Sequence, residues 1–293
     1  MRKFIAAMTL FLASHGVSDT RIIGGDTVTQ SQEFMVTLFK KGRFNYFFSC
    51  GGSLLDNEWI LTAAHCVDQD EPEDLAVVVG ELLPFESSAE LQLISEVIVH
   101  PNYVGSDTDY DFDIALLRLA APISNESLDI ASSDLPTGTD LTVMGWGSTD
   151  LEDYSESLQS VIVEVVSQST CEHQYTVEID GSLVELISDN MMCAADTNKD
   201  SCSGDSGGPL MIQSEGQYFQ VGIVSWGFGC ADEDFSGVYI RVDRFLDWIN
   251  SYKTERESLI QVDVQNSDGG SSKGAITWLT LVACLAFCRR KAR

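Results

Sequence analysis

Three short segments of the chain bring together residue types that can carry out acyl transfer. Leu61-Thr-Ala-Ala-His65-Cys66 supplies an imidazole, and Asp111-Phe-Asp113-Ile-Ala-Leu-Leu117 supplies a carboxylate. Gly204-Asp205-Ser206-Gly207-Gly208-Pro209-Leu210 supplies a hydroxyl flanked by glycines. A hydroxyl is a weak nucleophile until a base removes its proton, and the base works best when a third group orients it. The oxyanion that forms needs N–H donors, which a glycine-rich turn can present. Each segment alone has a plainer explanation: a core histidine beside a cysteine, a carboxylate at the edge of an apolar strand, a tight turn. Their joint occurrence, in the order His, Asp, Ser, points to hydrolysis through a covalent intermediate.

Such residues must be held by a rigid frame, and the chain offers strands for it. Short β-rich runs occur at Phe34–Phe39, Trp59–Thr62, Leu75–Val79, Ile94–Val99, Ile114–Leu119, Leu141–Met144, Val161–Val166, Gln220–Ser225 and Val238–Val242. Many alternate apolar with polar residues and are separated by Gly, Pro, Asn or Asp. Strands at this spacing, without intervening helical periodicity, indicate an all-β sandwich or barrel. One helix is legible at Val242–Tyr252, with Val242, Phe245, Leu246 and Ile249 on one face and Trp248 beside them.

The chain has 293 residues and a formal net charge of −28, from 45 acidic and 17 basic residues. Between Ile22 and Lys253 the imbalance is 40 Asp/Glu against 8 Lys/Arg. Nucleic acid is excluded as a partner, because phosphate contacts need a basic surface. Cationic polypeptides would be attracted, less so as salt rises, and the same charge keeps a protein soluble.

The termini differ from the middle. Arg2 and Lys3 precede an apolar stretch, Phe4 to Ala13, and Ser14-His15-Gly16 offers a cleavage site, so residues 1–16 read as an export signal. Export makes disulfides expected. Of eight cysteines, Cys50, Cys66, Cys171, Cys193, Cys202 and Cys230 lie in the folded part, and Cys284 and Cys288 lie in the tail. Six cysteines allow fifteen pairings, and spacing does not choose among them. Residues 254–273 are polar and read as a flexible linker. Residues 274–293 follow as an apolar tail ending in Arg289-Arg-Lys-Ala-Arg293. Its apolar core, Ala275–Cys288, is short for a spanning helix, and the basic end suits a positive-inside anchor.

Beyond the three segments, the chain carries Arg21-Ile22-Ile23-Gly24-Gly25, Gly145-Trp146-Gly147, Lys199-Asp200-Ser201-Cys202 and Ser225-Trp226-Gly227. From Ile22 to about Tyr252 it resembles a chymotrypsin-family serine protease of the trypsin type. The resemblance implies two six-stranded antiparallel β-barrels, about 22–135 and 136–241, closed by the helix at 242–252, with the active site between them. It implies His65, Asp113 and Ser206 as the catalytic residues and the N–H groups of Gly204 and Ser206 as the oxyanion hole. It implies a propeptide at 17–21, cleavage after Arg21 by an activating protease (self-activation included), and pairing of the freed Ile22 ammonium with Asp205. Asp200 would lie at the base of the primary pocket and bind Arg or Lys. Ser201, Ser225, Trp226, Gly227 and Gly237 would line the substrate site. The implied disulfides are Cys50–Cys66, Cys171–Cys193 and Cys202–Cys230.

The chain also departs from that pattern. The Cys171–Cys193 loop is long, with extra residues around Val177–Ile187, near the rim of the expected cleft. Glu81, Glu86 and Glu90 stand where many trypsins bind calcium, on a shorter loop; no cofactor is expected, with a structural calcium as the alternative. Gly269-Gly270-Ser271 and the tail resemble bacterial GlyGly-type sorting tails, which a membrane protease processes. An uncleaved anchor and a GPI-type signal are the alternatives, and the basic end argues against the latter. A non-catalytic homologue that binds through its cleft is the rival function. Such proteins usually lack one of the residues that are all present here.

Overall fold

Val161, Val163 and Val165 point inward while Ile162 and Glu164 face out, the alternation of a strand packed on one side. A computed structural model of the chain describes residues 25–43, 45–86, 88–105, 110–148, 154–195, 204–228, 234–253, 259–260 and 262. The first strand, β1 (Asp26–Thr27), belongs to the second of two barrels. The first barrel is built from β2 (Met35–Lys41), β3 (Tyr46–Leu54), β4 (Trp59–Thr62), β5 (Leu75–Val79), β6 (Gln92–Val99) and β7 (Ala115–Leu119), closed in the order β2-β3-β4-β7-β6-β5.

The second barrel contains β8 (Asp140–Gly145), β9 (Gln159–Val165), β12 (Met191–Ala195), β13 (Pro209–Ser214), β14 (Gln217–Trp226) and β15 (Gly237–Arg241). They run β9-β12-β15-β14-β13-β8, and the β8–β9 pairing closes the ring. All of these pairings are antiparallel. The two closed six-stranded barrels are as expected. Three barrel strands lie outside the β-rich runs named from the sequence: β3, which contains Gly51 and Gly52, β12 and β13.

The segment after the expected activation point crosses to the second barrel. Asp26 pairs with Ser160 and Thr27 with Gln159, so the first described strand lies against β9. Between the barrels, Ser53 Oγ donates to Gln220 Oε1 at 2.7 Å, and both residues are buried. The long Cys171–Cys193 loop starts within α1 (Gln168–Gln174) and holds a hairpin, β10 (Thr176–Ile179) with β11 (Ser182–Glu185). Its turn residues, Asp180 and Gly181, both have positive φ, 51° and 80°, as a two-residue hairpin turn requires.

The expected C-terminal helix is a 3-10 turn, Val242–Phe245, followed by α2 (Leu246–Tyr252). Val242, Phe245 and Ile249 are buried, while Leu246 and Trp248 are half-buried. Lys253 then anchors the helix end, its Nζ 2.8 Å from Asp56 Oδ2 with the side chain 1% exposed. The described part of the expected flexible linker is docked, which corrects that expectation locally. Ile260 N–H donates to Ile130 O, and Ser132 N–H donates to Ile260 O. Ile260 and Val262 pack on the core of the second barrel, because their apolar side chains gain more from burial than a solvated chain would. The export signal, the propeptide and the tail from residue 263 lie outside the described residues. Among the described residues no helix is long and apolar enough to cross a membrane.

Candidate active site

The first barrel contributes an imidazole and a carboxylate. His65 sits in a short 3-10 turn, Ala64–Cys66, that follows β4. Cys66 is joined to Cys50 of β3 by a disulfide, which ties this turn to the barrel wall. Asp113 is fully buried and accepts three hydrogen bonds: from His65 N–H at 2.8 Å, from His65 Nδ1 at 2.7 Å and from Ser225 Oγ at 2.5 Å. An ionised carboxylate only accepts, so Nδ1 carries the hydrogen and Nε2 is left as the acceptor. Ser225 comes from β14, so the second barrel holds the carboxylate of the first. The sequence reading placed Ser225 among substrate contacts and missed this hydrogen bond. The Ser-Trp-Gly motif marks the residue, but not where its hydroxyl points.

Local backbone geometry supports Asp113. The preceding Phe112 has φ 58°, a conformation costly for a bulky side chain. Its ring stacks on His100, with centroids 5.0 Å apart, and meets Phe245 edge-on. Its N–H bonds to Asp111 Oδ1, which also accepts from Asn190 Nδ2 at 2.8 Å. Burial lowers the pKa of His100 below the usual histidine value, and Asp111 partly opposes that shift.

The second barrel contributes the hydroxyl, on a turn shaped by glycine. Gly204 and Gly207 have φ 97° and 80°. A Cβ on Gly207 would collide with Thr62 Oγ1 and reach within 2.6 Å of Gly51 O. Gly51 N–H donates to Ser206 O at 2.8 Å, and Gly207 N–H donates to Val224 O. These contacts press the Ser206 turn onto Thr62 and Ala63, immediately before His65. Among the described residues, the N–H groups of Gly204 and Ser206 have no carbonyl partner, whereas those of Gly207 and Gly208 do. The Ser206 hydroxyl makes no hydrogen bond among the described residues. In sites without substrate the nucleophile–base contact is commonly long and tightens on binding.

Asp205 is fully buried. Gly147 N–H donates to its Oδ1 at 2.9 Å, and its carboxylate lies so close to Gly145 and Gly147 that a Cβ on either would clash. Gly145 pairs with Gln159, and Gln159 pairs with Thr27 of β1. β1 therefore lies across β9 from Gly145, the residue against which the Asp205 carboxylate packs.

At the end of β14, Trp226 stacks on Tyr110 and meets Tyr175 edge-on. Tyr175 follows α1, is fully buried, and its hydroxyl donates to Ser236 O at 2.5 Å, so the start of the long loop packs beside Trp226. Gly227 is exposed at the end of β14, and Gly237 is buried in β15 beside Ala194. Cys171–Cys193 is the second disulfide. Arg21, Ile22, Asp200, Ser201, Cys202 and Cys230 lie outside the described residues.

Cys50, His65 and Cys66 place one potential metal ligand each within 4.8 Å of one another. Both sulfurs are spent in the disulfide, so this cluster is not a metal site. Glu81, Glu86 and Glu90 are exposed and their carboxylates are not gathered within that distance.

Residues 22–249 match the family model described as Trypsin. The chain belongs to the trypsin family. It is 40% identical over 220 residues to a trypsin of Phaedon cochleariae, covering 71% of this chain and 79% of that one. It is 36% identical over 260 residues to a tryptase of Mus musculus, covering 83% and 93%. With the vitamin K-dependent protein C of Oryctolagus cuniculus it shares 39% identity over 230 residues, covering 72% of this chain and 48% of that one. The protein is a serine endopeptidase.

Proposed function

We propose that the protein cleaves peptide bonds after Arg or Lys, through an acyl-enzyme formed on Ser206. The observation that carries this reading is the buried Asp113 holding His65 by two hydrogen bonds, beside a glycine turn that presents a hydroxyl and two N–H groups without a carbonyl partner among the described residues. Ser206 Oγ attacks the carbonyl carbon while His65 Nε2 takes its proton. The N–H groups of Gly204 and Ser206 stabilise the oxyanion. The C–N bond breaks as His65 returns that proton to the leaving amine. Water then attacks the ester by the same route, and Ser206 is restored. Asp113 stays ionised and stabilises the imidazolium. No cofactor takes part.

Specificity rests on Asp200, whose carboxylate suits a bidentate contact with Arg or a water-mediated one with Lys. Gly227 and Gly237 supply walls without side chains. The protein is made as a zymogen in this reading. Cleavage after Arg21 frees the Ile22 ammonium, which pairs with Asp205. The full burial of Asp205 and the placement of β1 in the same barrel support that switch, since a buried charge is stabilised by an opposite one. The two disulfides and the N-terminal segment support export. The tail from Gly269 acts as a sorting signal cut by a membrane protease, which its composition supports.

The test compares peptides that differ only in the residue before the cut, Arg, Lys, Phe or Ala, on protein cleaved after Arg21. The expected result is strong preference for Arg and Lys, lost in Ser206→Ala. Turnover of Phe or Ala instead would overturn the specificity. No turnover with a verified Ile22 N-terminus would overturn the catalytic reading.

A further inference from the structure

Tyr110-Asp111-Phe112-Asp113 belongs to the first barrel, yet the second barrel grips it at three points. Tyr110 stacks on Trp226 of β14, with ring centroids 5.0 Å apart. Asp111 Oδ1 accepts from Asn190 Nδ2 at 2.8 Å, and Asn190 stands immediately before β12. Asp113 accepts from Ser225 of β14. Of these partners, Asn190 is the one to which neither the motifs nor the mechanism gives a role.

The backbone between Asp111 and Asp113 is strained. Phe112 has φ 58°, a region that a bulky side chain enters only at a cost. Such a conformation persists only where its surroundings over-determine it. Ile114 N–H donates to Phe112 O at 2.7 Å, so Asp113 is the middle residue of a tight three-residue turn. The direction in which Asp113 leaves the chain is therefore tied to the backbone of Phe112. Asp111 Oδ1 fixes that backbone by accepting Phe112 N–H at 2.8 Å, and the same oxygen receives the Asn190 amide. Asn190 itself is held firmly. Its carbonyl accepts from Arg241 N–H at 2.8 Å, and its N–H donates to Ser188 Oγ at 3.2 Å. Arg241 Nε also donates to the next carbonyl, Met191 O, at 2.9 Å.

We infer that Asn190 is a positioning residue for catalysis. Its amide holds Asp111, Asp111 holds Phe112 in the left-handed conformation, and that conformation aims Asp113 at His65 and Ser225. The inference rests on the protease reading above. Asn190 touches no reacting atom and acts only through Asp111. The aim matters because a displacement of about 1 Å in a catalytic group can cost roughly a hundredfold in rate.

The test measures kcat and KM on protein cleaved after Arg21, with one peptide that carries Arg before the cut. Titration to completion with a phosphonate ester counts working sites, so that kcat refers to folded protein. Asn190→Ala should lower kcat at least about tenfold while KM stays within about twofold of the unmodified value. Asn190→Asp sets two carboxylates against each other and should lower kcat further. The exchange Asp111→Asn/Asn190→Asp puts an amide at position 111, where its oxygen accepts from Phe112 N–H and its nitrogen donates to the carboxylate at 190. That exchange should bring kcat back to within about threefold of the unmodified protein. An unchanged kcat in Asn190→Ala, with only the denaturation midpoint lowered, overturns the positioning role. So does a loss of kcat that the exchange fails to recover. Absence of Ser206-dependent turnover of that peptide by the unmodified protein overturns the protease reading instead.

Discussion

His65 and Asp113 are held in place by side chains, whereas Ser206 is held by backbone. Asp113 is fixed by three donors, two from His65 and one from Ser225, and the turn carrying His65 is pinned by the Cys50–Cys66 disulfide. Among the described residues, Ser206 has no comparable side-chain support. Its position comes from glycines that let Gly51, Thr62 and Gly207 approach closely, and from the Gly51-to-Ser206 bond between barrels. The difference teaches where each half is vulnerable. The first can lose chemistry while keeping its shape, and the second cannot gain a methyl group without losing its shape.

The largest effect should come from Asp113→Asn. The amide keeps the volume but turns a ring acceptor into a mixed group, so His65 takes the wrong tautomer. The expected loss in kcat is about ten-thousandfold, the magnitude known for this change in one well-studied triad of the family. Thermal unfolding should shift little. Gly207→Ala should break the other half. The added carbon meets Thr62 and Gly51 at a positive φ, and the expected destabilisation is roughly 3 kcal/mol, read by denaturant unfolding. If Gly207→Ala instead folded normally and lost only kcat, the contrast between the two halves would be wrong.

Ser225→Ala sharpens the comparison, because it removes one side-chain donor and leaves the carboxylate paired. A charge-assisted hydrogen bond is worth about 1.5–3 kcal/mol, so kcat should fall about tenfold or somewhat more, with KM nearly unchanged. The smallest effect concerns His100, which stacks on strained Phe112 behind Asp113. Burial lowers its pKa in the folded protein, so the unfolded chain binds that proton more readily. Its contribution therefore falls as pH drops through the ordinary histidine value of about 6.5 and is exhausted below the folded pKa. His100→Gln should flatten this part of the stability profile, measured by unfolding between pH 4 and 8. An unchanged slope would remove His100 from the account.

The sequence made much of this site legible, because its chemistry is carried by short contiguous motifs around His65, Asp113 and Ser206. The strands it revealed best were those with one wet face, such as Val161–Val165. Met191–Ala195 and Pro209–Ser214 carry no β-branched alternation to mark them, being Met-Met-Cys-Ala-Ala and Pro-Leu-Met-Ile-Gln-Ser, and β3 contains two adjacent glycines. The Ser225–Asp113 bond, the Asn190–Asp111 bond and the docking of Ile260 join residues far apart in the chain. No local pattern records such contacts. Ile260 looked like linker because polar residues surround it.

The most direct test of the central claim is covalent labelling with a phosphonate ester of an arginine analogue, followed by mass spectrometry of the digested protein. The account predicts one adduct, on the peptide containing Ser206, formed at a rate that collapses in Asp113→Asn. An adduct on another residue, or labelling as fast in Asp113→Asn as in the unmodified protein, would contradict it.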